Sequence, residues 1–473
     1  MEIGAFPFHS FIIGSMDLSG RIDRKAVLLA TTLPSFFVPF MGSSINIALP
    51  SIGKEFGMTA VLLSWVPMAY LLPVAMFQVP FGRIADICGR KRVFLWGLCI
   101  YTVSCILIAL SRSAGVLVFF RACQGLGASM IFGTAVAILS SSFPPGERGK
   151  ALGINVAAVY SGLSMGPVLG GILTQHFGWR SIFWFNVPLA IVILVVILIK
   201  LKMEWAEARG ERFDYAGAAI YSLALLVTIY GLSRLPTTRG ISFLLAGLFG
   251  LFIFARHQMR IESPVFSIRL FTRNRVFAFS SLAALINYCA TFAVGFLLSL
   301  FLQLTKGFSP QKAGLVLVAQ PIVQAIFSPF AGRLSDRIEP RVVASIGMGF
   351  AALGLSLLIF LDERSSLTFI VAVLALLGFG FALFSSPNTN AVMSSIEKKS
   401  YGVASGTLGT MRATGMMLSM GIVMLIFTAI MGEVQITPDH FHLFMMSTKT
   451  AFQIFALLCT GGIFASLARG KVQ

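Results

Sequence analysis

Apolar runs of roughly 20 residues recur along the whole chain, each the length needed to cross a bilayer core as a helix. They fall at 26–49, 60–82, 93–111, 115–142, 151–174, 181–200, 215–233, 240–256, 276–304, 312–332, 342–361, 367–391, 402–430 and 448–468. Charged or Gly/Pro-rich breaks separate them, and most breaks are short, as connections between bundled helices usually are. The pattern predicts an all-α integral membrane protein with fourteen transmembrane helices. Two breaks are longer, Lys202–Asp214 and His257–Arg275, and they bracket spans 7 and 8.

Composition agrees with this reading. The chain of 473 residues is 57% hydrophobic and 11% charged, with a mean hydropathy of +0.88. Soluble proteins carry about 25% charged residues, so disorder, a disulfide scaffold and an ordinary cytosolic enzyme are excluded. The net charge of +18 would suggest nucleic acid in a soluble chain. Here the basic residues lie in short loops and report topology instead. With an even number of spans both termini share a side; that side holds 25 Lys and Arg, the opposite loops hold nine, and Arg121 and Arg412 fall within spans. A bias near three to one places both termini in the cytoplasm. The first 25 residues carry an apolar patch at Phe11–Ile13 without a basic segment before it, so the first span itself serves as the targeting signal.

An internal repeat divides the chain. Gly82-Arg83-Ile84-Ala85-Asp86 recurs as Gly332-Arg333-Leu334-Ser335-Asp336, 250 positions later. Both copies leave the second helix of a six-helix block, and both preceding spans contain two prolines, Pro73 and Pro80 against Pro321 and Pro329. The simplest account has a cytoplasmic segment (1–25), a six-helix bundle (26–200), a linker (201–214), an inserted two-helix hairpin (215–256), a linker (257–275) and a second six-helix bundle (276–473). Parallel repeats of this kind characterise secondary transporters, with the substrate site between the halves near the midplane.

The first copy continues through Gly89-Arg90-Lys91-Arg92, joining one acid to four bases. Asp86 at a helix end can pair with an Arg in one conformation and release it in another. Gly162, Gly166 and Gly170 share one face of span 5, where small residues let backbones approach closely, and Pro167 adds a bend. Arg121 and Arg412 each cost at least ~2.5 kcal/mol on insertion scales, so each needs a cavity or a partner.

These motifs resemble the major facilitator superfamily. The Gly82–Arg92 loop matches its signature fully; the second copy matches to Asp336-Arg337, where Glu339-Pro340 displaces the later Gly-Arg. Span 4 carries Leu117, Arg121, Gln124, Gly125, Gly127 and Ala128, similar to the superfamily's proton-linked motif. Span 5 carries Gly162, Gly166, Pro167, Gly170 and Gly171, similar to its antiporter motif. Arg212–Gly217, Pro264–Phe271 and the Ser405–Gly415 pattern resemble the fourteen-helix drug:proton antiporter branch, of multidrug efflux type. The resemblance implies two six-helix bundles plus a two-helix insert, in a multi-pass protein of the plasma or inner membrane that works as a monomer without a cofactor. Gating falls to Gly82, Arg83, Asp86, Gly89, Arg90, Gly332, Arg333 and Asp336, and coupling or charge sensing to Arg121, Gln124 and Arg412. Ser43, Ser44, Asn46, Asn287, Tyr288 and Asn388 are the cavity candidates.

Relatives in this branch carry an Asp five residues before an Asn-x-Ala-x-Pro run. Here that run is Asn46–Pro50, and Met41 holds the acid's place. All 18 acids fall in termini, loops or span edges, and all five histidines fall outside the spans. The six cysteines have no metal-ligand spacing, and Gly146–Ala151 lacks a phosphate loop's spacing. The expected activity is export of small amphiphilic compounds by alternating access, with protons as the family's counter-ion. An uncoupled facilitator or anion exporter is one alternative, and a membrane sensor or scaffold that no longer transports is another. An enzyme and a nucleic-acid partner are not expected.

Overall fold

A computed structural model describes residues 24–201, 203–235, 237–261, 264–266, 268–396 and 401–470. Nearly all of the N-terminal segment 1–25 therefore lies outside the described residues. Fourteen helices are long and apolar enough to cross a membrane, and no strand occurs among the described residues. The first six spans are Arg24–Phe56, Ala60–Cys88, Arg90–Ala109, Ala114–Ser142, Pro145–Phe177 and Arg180–Lys200. Spans 7 and 8 are Tyr215–Ser233 and Thr238–Gln258. Spans 9 and 10 are Arg275–Thr305 and Pro310–Arg337. Spans 11 to 14 are Pro340–Leu358, Leu367–Ser394, Tyr401–Ile430 and Phe441–Ala468.

Helices are the only open-chain way to satisfy every backbone group in hydrocarbon, and their first turns need outside acceptors. The sequence supplies those acceptors at the ends. Thr59 accepts from Leu62 N at 3.2 Å, Asn274 from Phe277 N at 2.9 Å and Ser366 from Phe369 N at 3.2 Å. Asp214 caps span 7 through Gly217 N at 2.8 Å. The same carboxylate accepts from Gln258 at 2.6 Å and contacts His257 Nε2 at 3.0 Å, tying both cytoplasmic ends of the hairpin. A Cβ at Gly217 would collide with Asp214 and Gln258, which accounts for the glycine in Arg212–Gly217. Burial alone would raise the Asp214 carboxyl; the Gly217, His257 and Gln258 bonds outweigh it and hold the group below its ordinary value.

Many helices run beyond their apolar stretches. Span 1 continues past Lys54 and Glu55 to Phe56 because Glu55 is received there by Arg180 (2.6 and 2.8 Å) and Trp179 Nε1 (2.7 Å). His176, His257 and His442 consequently lie within the end turns of spans 5, 8 and 14, not beyond them. Span 9 is interrupted at Phe292 and closes with a π-helical turn, Phe301–Thr305.

Helix packing repeats between the halves. Span 1 lies along span 5 and span 9 along span 13; span 4 packs on spans 2 and 3 as span 12 packs on spans 10 and 11. Between the halves span 2 meets span 13 and span 5 meets span 10, the relation a two-fold axis generates. The inserted pair packs chiefly on itself and rests against spans 2 and 13. Tyr221 Oη donates to Ala75 O at 3.1 Å and Ser222 Oγ to Met76 O at 3.3 Å.

Candidate functional site: the two gates and the buried arginines

The first repeat loop is a clamp of charges. Gly89 separates spans 2 and 3 at φ 118°, a conformation that suits glycine. A Cβ there would come within 2.5 Å of Glu204 Cδ. Arg90 is 7% exposed and gathers Asp86 (2.7 Å), Ser141 (2.6 Å) and both oxygens of Glu207 (2.8 and 3.0 Å). Arg83 pairs with Glu211, and Lys91 N donates to Glu204 at 2.8 Å. Backbone bonds add Arg90 N to Trp205 O (2.8 Å) and Ala208 N to Asp86 O (2.9 Å). Burial pushes the Glu204 carboxyl up from its ordinary value, while its bonds to Lys91 and Trp205 pull it down. The linker acids therefore complete the loop. In the sequence they look like ordinary solvated charge.

The second copy is sparser. Gly332 lies against span 12, where a Cβ would sit 3.1 Å from Ser386 Oγ. Arg333 is exposed, and exposed Asp336 accepts from Asn390 at 3.3 Å. Gly82, at the equivalent register, faces the Gly133 backbone of span 4.

Span 5 uses its two faces differently. Gly162, Gly166 and Gly170 receive span 1; added Cβ atoms would strike Phe36, Ser43 and Ser44. Ser44 Oγ donates to Gly166 O at 2.9 Å. Pro167 and Gly171 instead meet span 10 of the other half. A Cβ at Gly314 would collide with Pro167 O, and one at Gly171 would lie 2.7 Å from Pro310 O.

Hydrogen bonds between the halves, among the described residues, cluster at the end opposite the repeat loops. Ser299 Oγ donates to Asn46 O (2.5 Å), Gln303 Nε2 to Ile47 O (3.0 Å) and Gln435 Nε2 to Gly57 O (3.0 Å). Ala60 N donates to Val434 O (3.0 Å) and Gln311 N to Gln175 Oε1 (3.2 Å). These bonds close the end whose loops carry few basic residues.

The two intramembrane arginines differ. Arg121 is 1% exposed: its Nε donates to Val66 O (3.1 Å), its Nη1 to Gln124 (2.6 Å), and the guanidinium lies 4.6 Å from the Tyr70 ring centre. Gln124 passes the chain to Cys105 Sγ at 3.0 Å. Arg121 neither snorkels nor meets a carboxylate in this set. Arg412 is half-buried, donates to Thr389 Oγ1 at 2.6 Å and lies 5.8 Å from the Tyr288 ring centre. Its Nε has no partner. Tyr288 packs edge-on to Phe381 at 5.1 Å.

The cavity candidates separate on the same basis. Asn46 faces the seam between halves, beside Gly295 of span 9, and Tyr288 stands beside Arg412. Ser43 bonds its own helix carbonyls at Pro39 and Phe40, and Ser44 is used up within the first half. Asn388 is enclosed: it is 1% exposed, donates to Ser280 O (3.1 Å) and accepts from Arg469 (3.0 Å). Polar side chains between packed helices satisfy one another where they can. Asn287 is also enclosed, with neither amide atom bonded. Thr389 and Arg469 were not anticipated. Thr389 has no distinguishing sequence pattern, and Arg469 resembles any basic residue after a span.

Known proteins agree with this architecture. A Major Facilitator Superfamily model matches residues 31–420 and 280–470. Riboflavin transporter RibZ of Clostridioides difficile is 28% identical over 448 residues, covering 94% of this chain and 97% of that protein. Multidrug resistance protein Stp of Mycobacterium tuberculosis is 33% identical over 394 residues, covering 82% and 73%. Among solved structures, a bacterial homologue of the human lysosomal transporter Spinster, inward-facing and unoccupied, shares the fold at a TM-score of 0.65 with 18% identity over 94% and 97% of the chains. Peptide transporter POT in complex with sulfate does so at 0.67 with 15% identity over 94% and 95%. With fourteen spans, a repeated half and these relatives, the chain is a multi-pass membrane transporter, not an enzyme, and belongs to the major facilitator superfamily.

Proposed function

We propose that this transporter exports small amphiphilic compounds by alternating access, as a monomer, with neutral or anionic molecules handled better than lipophilic cations. The observation that carries the charge preference is Arg412. It stands half-buried beside Tyr288 with an unpartnered Nε, and no ion pair reaches it among the described residues. Two unit charges 4 Å apart at an effective dielectric near 20 interact by about 4 kcal/mol, enough to bias a ligand's charge. The names of relatives, a riboflavin transporter and a multidrug resistance protein, support a cargo with an aromatic body and polar edges.

Proton antiport is the family's coupling mode and the first reading here. Uncoupled movement is the second, favoured by one observation: Met41, at the family's acid position, is fully enclosed in the first bundle. Proteoliposome flux of riboflavin, an anionic dye and ethidium, each with and without a pH gradient, tests both. Riboflavin or anion flux above ethidium flux is expected, with Arg412→Gln lowering anion flux about tenfold, roughly 1.4 kcal/mol. Robust ethidium export unchanged by Arg412→Gln refutes the charge preference. Flux indifferent to the gradient selects the uncoupled reading, and ligand binding with no flux selects a sensor.

A further inference from the structure

Arg469 follows span 14 at the cytoplasmic end and is 0% exposed. Its Nη1 donates to Ser280 Oγ (3.2 Å) and Asn388 Oδ1 (3.0 Å); its Nη2 donates to Pro340 O (2.9 Å) and Ser466 Oγ (3.2 Å). The acceptors belong to spans 9, 12, 11 and 14, so one side chain ties four helices of the second half. Burial pulls this guanidinium down to about 10, opposed by Glu339, so it stays charged at neutral pH.

The repeat register gives this position its meaning. Gly89 and Arg90 fall at Glu339 and Pro340, 250 positions later. The second loop has thus lost the arginine that, in the first half, reaches from the loop to Ser141 of span 4. Arg469 makes the corresponding connection backwards. It enters from beyond the sixth helix of its half, reaches Asn388 of span 12, and holds the loop by Pro340 O, the residue at Arg90's register. In the first half the segment beyond the sixth helix sends the acid, Glu207, and the loop sends the base. In the second the loop acid, Glu339, pairs with Arg341 of its own loop at 2.9 Å, and the base sent from beyond the sixth helix, Arg469, takes neutral acceptors.

We propose that Arg469 is a positioning residue that replaces Arg90 in the second half, fastening the loop between spans 10 and 11 to its bundle so that the half turns as one body during transport. Spin labels at Arg273→Cys and Ile338→Cys, on a cysteine-free background of the full-length protein, report the loop's position against the segment that leads into span 9. The readout needs no substrate, so a wrong cargo in the functional reading leaves it intact. Arg469→Gln should broaden the distance distribution about twofold or more. The combined change Glu339→Gly, Pro340→Arg and Arg469→Gln should narrow it again, since an arginine then stands at Arg90's register four residues after Asp336. Should Arg469→Gln fail to fold, Ser280→Ala removes one acceptor and should give a smaller broadening. A wild-type distribution in Arg469→Gln, or in Ser280→Ala where that variant stands in, overturns the proposal. So does a triple variant as broad as the single.

Discussion

The two halves share a packing plan and differ in where they keep their charge. In the first, the intramembrane arginine is sealed: Arg121 spends its donors on Val66 O and Gln124 and meets no solvent. In the second, Arg412 is half-buried, donates to Thr389 and leaves its Nε without a partner. At the cytoplasmic end the contrast has the same sense. The first loop is heavily bonded to an acidic linker, whereas the second offers an exposed Asp336 and an exposed Arg333. Duplication preserves which helices touch, because that is set by small residues and shape. It does not preserve the charges, which only need to reach the same places.

The largest contrast is expected between the arginines themselves. Arg121→Met should lower the melting temperature and abolish flux together, since Val66 O and Gln124 lose their donor at about 1–3 kcal/mol each. Arg412→Met should leave the melting temperature near wild type and change only which cargo moves. Equal thermal losses in a detergent unfolding assay would erase the distinction between sealed and open sites. Next come the two loop aspartates. Asp86→Asn loosens Arg90 from its helix and should cut turnover about tenfold, roughly 1.4 kcal/mol, at unchanged expression. Asp336→Asn removes a single long bond to Asn390 and should cost about twofold or less. Matching defects in a flux assay would mean that both loops work alike.

The smallest effect concerns the inserted hairpin. Asp214 is held below its ordinary carboxyl value, so its stabilisation is complete above the unfolded value of 3.8 and fades as pH falls through the folded one. Hydrogen exchange at the ends of spans 7 and 8 should therefore quicken on acidification in that range. Asp214→Asn should show fast exchange already at neutral pH; slow exchange in that variant would detach the cap from the hairpin's stability.

Hydrophobic length and the 250-residue repeat made the spans, the halves and the insert legible, and the cost of a membrane charge singled out Arg121 and Arg412. Three things were not legible, for separate reasons. Helix ends such as Glu55 continue because a distant Arg180 receives them, which no local pattern records. The partners of Asn388 are hidden because an asparagine in a span has no label saying what it faces. Arg469 and the linker acids lie outside the apolar runs, where charge normally means solvent. Only the fold returns Glu204, Glu207 and Glu211 to the loop more than a hundred residues before them.

The outer closure has an electrical consequence. It is built from Ser299, Gln303, Gln435, Gln175, a His176–Gln311 contact and main-chain groups, with no ion pair between the halves among the described residues. Uncharged bonds are not screened by salt, whereas the Arg90 and Arg83 pairs at the opposite face are. The outer closure is thus little affected by salt. The ionic fastening lies on the side where the cell regulates its own electrolyte.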